Sequence, residues 1–218
     1  MAEIAKFDDP KFMELMDKIG AMFLEFGIRN LNMDDISRNL KISKKTLYQY
    51  FKNKEDLIEK IFEFDDIKRQ RLFDEMCLQQ HNAIEILFIA SSMVAREMNQ
   101  MNPKVKFELK KYYEPISSKF MEQKKGHILE EIGKNIRKGI EEGLYRSDIN
   151  IELISGLYVK NITDMHQQDF WFVENITHEQ IFEAMFETLI RSIATADGIA
   201  YFEMRKAEVK GLNKDLNK

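Results

Sequence analysis

What this chain has little of narrows the reading before any motif is found. A single cysteine, Cys77, in 218 residues excludes an intramolecular disulfide and any zinc site built from several thiolates, so nothing points to an oxidising compartment. By type, Cys77 is a small apolar core residue. Only three prolines and nine glycines punctuate a sequence rich in Met, Glu and Lys, and Val- and Thr-rich alternating segments are missing, so helices are expected throughout and a sheet is not. Acids or lysines interrupt every apolar run before it could span a bilayer. The N-terminus also lacks the basic-then-apolar pattern of a signal peptide, and the expected location is cytoplasmic.

Catalytic constellations are equally scarce. The four histidines, His81, His127, His166 and His178, are scattered and none forms a His-x-x-x-His pair. His127 with Glu131 is the nearest metal-like spacing, and such pairs arise by chance in Glu-rich helices. With no phosphate-cradling glycine loop, no serine elbow and no convincing Cys-His arrangement, the chain is expected not to be an enzyme and to need no cofactor or metal.

What is present is enough for a full core: 44% of the residues are hydrophobic, and the length allows one or two domains. A net charge of -4 and a pI near 5.7 argue against nucleic acid as a partner until the distribution is read. Between Arg29 and Lys54 stand Arg29, Arg38, Lys41, Lys44, Lys45, Lys52 and Lys54 against only Asp34 and Asp35. Seven minus two gives +5 in that stretch and leaves -9 for the remainder. A basic segment is attached to an acidic body.

That segment reads as two short helices. Asn32 is placed to cap the first, with Asp35 three residues on, and Ser43 to cap the second. Ile36 with Leu40 and Leu47 with Phe51 supply facing apolar edges, and Lys41, Ile42 and Ser43 have the length of a tight turn. The pattern is a helix-turn-helix. Its second helix carries Lys44, Lys45, Thr46, Tyr48, Gln49 and Tyr50, cations and hydroxyls suited to phosphates and base edges. For any single lysine the alternative is a solvated surface charge, and for Tyr50 packing is the alternative to a phosphate bond.

The runs Met33-Asp34-Asp35-Ile36, Ile42-Ser43-Lys44-Lys45-Thr46-Leu47-Tyr48 and Tyr50-Phe51-Lys52-Asn53-Lys54-Glu55-Asp56-Leu57 resemble the DNA-binding domain of TetR-family transcriptional regulators, over about the first quarter of the chain. The resemblance implies that Lys44, Lys45 and Tyr48 contact base edges or the groove, that Thr46, Tyr50 and Lys54 hold phosphates, and that Gln49 does either. Two positions depart from the pattern. Ser37 stands where a small apolar residue, often Ala, packs between the helices, and Lys41 where Gly often makes the turn.

The rest of the chain divides into helices by its caps and breaks. Asp9-Pro10 opens the first and Gly27 closes it; Asn53 with Asp56 opens a fourth, whose Lys54 makes it the link from reader to body. Asn82 with Glu85 starts a fifth, apolar nearly all round, that Asn102-Pro103 stops. A sixth should break at Glu114 before Pro115, and a long seventh runs to Gly143. The connector from Gly143 to Asn150 also resembles the corresponding TetR-family turn. Asn150 opens helix eight. Thr177 with Gln180 is a capping box for helix nine, expected to end at Asp197-Gly198.

The expected architecture is therefore all-α: a helix-turn-helix domain over residues 1–52, a larger ligand-binding and dimerisation domain over 53–198, and a charged tail over 199–218 whose first residues could extend a helix. Met93, Met98, Tyr112, Tyr113, Phe120, His127, Tyr158, Met165 and His166 are candidate walls for a small-molecule effector pocket, with ordinary core packing as the competing reading of each. The aromatic loop Phe170-Trp171-Phe172 reads equally as a lid or as a plug over the bundle. Helix nine carries a double-width apolar stripe, so helices eight and nine are the expected homodimer interface, with Met185 and Leu189 facing outward. The implied function is a ligand-responsive regulator, a repressor as TetR-like proteins usually are, on a near-palindromic duplex operator. An acidic helical interaction scaffold is the alternative.

Overall fold

The computed structural model describes residues 7, 9–79, 81–100, 102–164 and 177–215. The described residues form ten helices: α1 (Pro10–Phe26), α2 (Met33–Asn39), α3 (Lys44–Tyr50), α4 (Lys54–Leu78), α5 (Ala83–Gln100), α6 (Pro103–Tyr112), α7 (Glu114–Glu141), α8 (Ile151–Asp164), α9 (His178–Ile193) and α10 (Ala196–Asp215). The protein is all-α; among the described residues an isolated bridge between Tyr145 and Ala194 is the one β-type pairing. No helix among these residues is long and apolar enough to cross a membrane. The chain folds into two compact units, Met1–Leu72 with Gln100–Lys124 and Phe73–Asn99 with Lys125–Lys218.

In the first unit α1 starts where its caps say it should. Asp9 accepts the backbone N–H of Lys11 at 3.0 Å, and Pro10, lacking an N–H, occupies the first helical position where none is needed. Phe12, Met16, Ile19, Met22 and Phe23 recur at helical spacing and are all buried. They join Ile36, Leu47, Phe51, Leu57 and Ile58 in one core, to which α6 adds Val105. The α6–α7 break falls at Tyr113 (φ -130°, ψ 33°), one residue before the expected Glu114. Glu114 and Pro115 instead open α7, because a proline in a first turn forfeits no helical hydrogen bond.

The second unit explains why α5 is apolar nearly all round. Ala83, Ile84 and Leu87 enter a core with Ile136, Phe186, Ile190 and Phe202, while Ile86 enters a second cluster with Phe73 and Met76. One helix serves two cores. Its first peptide is pinned from both sides: Glu142 accepts the Ala83 N–H at 2.8 Å, and the Asn135 amide donates to the Ala83 carbonyl at 2.8 Å. Helix α9 begins at the expected capping box, Thr177 Oγ1 accepting from the Gln180 N–H at 3.2 Å and Gln180 Oε1 from the Thr177 N–H at 2.9 Å.

Two expectations for this region are corrected. Helix α9 does not run to Asp197-Gly198 but ends at Ile193, with Ala194 extended (φ -74°, ψ 150°). The chain is drawn into extension by pairing with the α7–α8 connector: the Arg146 N–H donates to the Ile193 carbonyl at 2.8 Å and the Thr195 N–H to the Leu144 carbonyl at 2.9 Å. Thr195 Oγ1 then accepts the Gly198 N–H at 3.1 Å and caps α10. Gly198 permits close approach rather than termination, since a Cβ there would lie 2.1 Å from the Leu144 carbonyl oxygen. Leu189 does not face outward either. It is 6% exposed, in the same core as Phe186, Ile190 and Ile193, so the wide stripe of α9 is covered by the chain itself.

Candidate nucleic-acid interface

The helix-turn-helix is built from hydrogen bonds that its sequence encodes. Asn32 Oδ1 accepts the N–H groups of Asp34 and Asp35, each at 2.9 Å, and Asp35 Oδ2 accepts the Asn32 N–H at 3.1 Å, closing a capping box on α2. Ser43 Oγ accepts the Thr46 N–H at 3.0 Å and caps α3. Ile36 and Leu47, both fully buried, weld the two helices together. Of the other α3 side chains, Lys44, Lys45, Tyr48 and Gln49 are exposed.

Both departures from the family pattern have a physical resolution. Lys41 adopts the left-handed conformation at φ 56° that glycine would take without strain. The turn holds it there with an N–H···O bond from Lys41 to Arg38 at 3.1 Å and another from Ile42 to Ser37 at 3.0 Å, the pair of a Schellman motif. A cost of about 1 kcal/mol for a non-glycine residue is offset by these bonds and by Ile42 packing on the core. Ser37 is 5% exposed, and its hydroxyl donates to the Asp34 carbonyl at 3.0 Å, so a polar atom at this packed position carries no unsatisfied donor.

The seven residues marked for DNA fall into two groups. Lys44, Lys45, Tyr48 and Gln49 are exposed on α3, Tyr48 at 50%. Thr46, Tyr50 and Lys54 are half-buried. The Thr46 hydroxyl lies 2.8 Å from Ser43 Oγ, and the Tyr50 ring packs 5.5 Å from that of Phe12. Lys54 Nζ approaches the Arg29 carbonyl at 3.5 Å and sits 6.0 Å from the centre of the Tyr113 ring. Burial lowers its pKa from the ordinary lysine value, while the carboxylates of Glu55, Glu108 and Asp35 oppose the shift.

Two features were invisible to motif reading. Asp34 pairs with Lys44, Oδ2 to Nζ at 2.5 Å, with both side chains about half exposed. Arg29 gives its N–H to the buried carboxylate of Glu108 at 2.9 Å, and its guanidinium donates to the Tyr112 hydroxyl at 2.7 Å while lying 4.4 Å from the centre of that ring. The partners are 79 and 83 residues away in sequence, so no local signal announces them.

The candidate effector residues are divided between the units. Tyr112, Tyr113 and Phe120 belong to the first, where Phe120 stacks on Phe62 with centroids 4.4 Å apart. Met93, His127 and Tyr158 belong to the second. Met93 packs on the Phe73, Met76 and Ile86 cluster, and Tyr158 is buried, its hydroxyl pushed up to about 12 by desolvation. Met165, His166, the Phe170–Phe172 loop and the side chain of Met98 lie outside the described residues. No group of three or more His, Cys, Asp or Glu side chains that could hold a metal occurs among the described residues.

A capped helix pair that buries its apolar edges and projects lysines, an amide and a tyrosine from its second helix defines a helix-turn-helix DNA-binding protein. Residues 15–61 match the family described as bacterial regulatory proteins, tetR family, and the chain carries the DNA-binding domain of TetR-family transcriptional regulators. It is 28% identical over 151 residues to the HTH-type transcriptional repressor KstR2 of Rhodococcus jostii, covering 64% of this chain and 70% of that one. KstR2 of Mycobacterium tuberculosis is 26% identical over 152 residues, covering 65% and 72%. The fold is similar to that of a transcriptional regulator from Cytophaga hutchinsonii, with a TM-score of 0.71 at 16% identity, covering 86% of this chain and 100% of the other.

Proposed function

We propose that this protein is a ligand-responsive transcriptional repressor that binds a near-palindromic DNA operator as a homodimer, from a cytoplasmic location. The observation that carries the reading is the division of labour on α3: Leu47 alone is buried, and Lys44, Lys45, Tyr48 and Gln49 are turned to solvent. The naming of the KstR2 relatives as repressors supports the direction of control. Residues 1–52 read DNA, and the acidic remainder through 198 senses and dimerises. Met93, His127 and Tyr158 are the effector contacts we favour within the second unit.

Since the α9 stripe is used internally, α8 supplies the apolar part of the dimer contact. Leu153 and Leu157, one turn apart, are 59% and 51% exposed and form an adjacent apolar pair that a second protomer would cover. Two protomers paired through this face would present their recognition helices to successive major grooves about 34 to 36 Å apart. An effector acts by preferring one of two populations, and reciprocity requires operator binding to weaken effector binding by the same factor.

Selection of bound sites from random duplex DNA tests the reading. A palindromic consensus is the expected result; absence of any enriched sequence would sink it and favour the acidic interaction scaffold. In the same preparation Leu157→Glu should sediment as a monomer and lose the palindrome. A Leu157→Glu dimer would move the interface away from α8.

A further inference from the structure

Both acids of the basic segment stand in the first turn of α2, where a carboxylate suits the helix's positive end, but they differ in what else they do. Asp35 closes the capping box on α2. The Asp34 carboxylate takes no part in that cap, and a carboxylate placed in a DNA-binding surface is repelled by phosphates. Its stabilising effect is small too, because an ion pair with both side chains about half exposed is weak in water. What Asp34 does have is Lys44: Nζ lies 2.5 Å from Oδ2, across the turn and ten residues away.

The backbone at both ends of that pair is fixed. The backbone of Asp34 is tied to Asn32 Oδ1 at 2.9 Å, and Lys44 is the first residue of α3, whose start is set by the Ser43 cap and the left-handed Lys41 turn. A lysine is ordinarily a flexible point charge with three donors. Beside Asp34, its ammonium keeps two donors, has its rotamers biased toward one geometry before DNA arrives, and belongs to a neutral pair that gains little from phosphates. Such a donor suits the paired acceptors O6 and N7 of guanine in the major groove.

We propose that Asp34 is a positioning residue that converts Lys44 from a general phosphate anchor into a reader of guanine. The inference rests on the DNA-binding function proposed above. Its test is the random-duplex selection repeated with wild type, Lys44→Ala and Asp34→Asn, with binding to a fixed duplex measured against salt. The wild-type consensus should contain, in each half-site, a G·C pair whose replacement weakens binding about tenfold or more, and Lys44→Ala should erase that preference. Asp34→Asn should lose most of the same preference yet bind random duplex more tightly, its plot of log affinity against log salt steepening by about 0.9 for each lysine released to a phosphate. A purely structural role would give the opposite pattern, a lower melting temperature and uniformly weaker binding. The proposal fails if Asp34→Asn keeps both the preference and the slope, or if Lys44→Ala leaves the consensus unchanged; in either case an enriched palindrome would still stand for DNA reading. No enrichment by wild type would end both.

Discussion

Helices α3 and α9 both carry apolar residues at helical spacing, and they use them in opposite ways. Seven-residue α3 buries Leu47 alone and is held in place by a serine cap, a strained turn and the core of its neighbours. Sixteen-residue α9 buries Ile181, Phe182, Phe186, Leu189, Ile190 and Ile193, and what remains outside is largely polar: Glu187 pairs with Arg191 and with Lys206 of α10. A helix that turns most of its side chains to solvent is positioned by others. A helix meant to hold a unit together spends its own apolar surface.

The largest way to test that contrast is to truncate α9 inside the core. Phe186 is 3% exposed and packs edge-on to Phe88 at 4.7 Å and to Phe202 at 5.7 Å. Phe186→Ala should cost about 3 to 5 kcal/mol of unfolding free energy in a urea titration, whereas Thr188→Ala, on the exposed side, should stay within about 0.5 kcal/mol. If the two variants melted alike, α9 would not be the inward-facing helix described above.

Overpacking should cost somewhat less. At Gly139 a Cβ would lie 2.0 Å from the ring of Tyr145, which is 2% exposed and donates to Asn135 at 3.4 Å. Gly139→Ala should therefore destabilise by about 1 to 3 kcal/mol, or more if the ring has nowhere to move. Tyr145→Leu in the same background should recover part of the loss; no recovery would show that the ring is not the obstruction.

The smallest effect belongs to the reader and has the opposite sign. Lys41→Gly should raise stability by up to about 1 kcal/mol, since it relieves the left-handed strain at φ 56°, less the chain entropy that glycine adds to the unfolded state. Because the turn geometry is unchanged, the operator consensus should also be unchanged. A variant with a shifted consensus would assign Lys41 to DNA contact rather than to the turn.

Much of the fold was legible because helix ends are local chemistry. Asp9-Pro10, Asn32 with Asp35, Asn102-Pro103 and Thr177 with Gln180 each cap the helix they were expected to cap. Interactions within three or four residues need no knowledge of the rest of the chain. The end of α9 was misplaced because it is not local: the Leu144 and Arg146 backbone, some fifty residues upstream, pulls Ala194 into extension and leaves Gly198 to a new helix. The outward placing of Leu189 failed for a related reason. A double-width stripe records how much apolar surface must be covered, and cannot say whether the cover is α5 and α10 of the same chain or a second copy.

The sequence by itself determined that this protein is all-α, that its basic charge is gathered between Arg29 and Lys54, and which helix pair there can meet DNA. Those are consequences of periodicity, capping and composition, all of which act over a few residues. Only the tertiary structure decided which cations have partners. It set Asp34 against Lys44, placed Tyr112 on the Arg29 guanidinium, and half-buried Lys54 beside Tyr113. A charge is a property of a residue, but its availability depends on what the folded chain brings within about 4 Å of it.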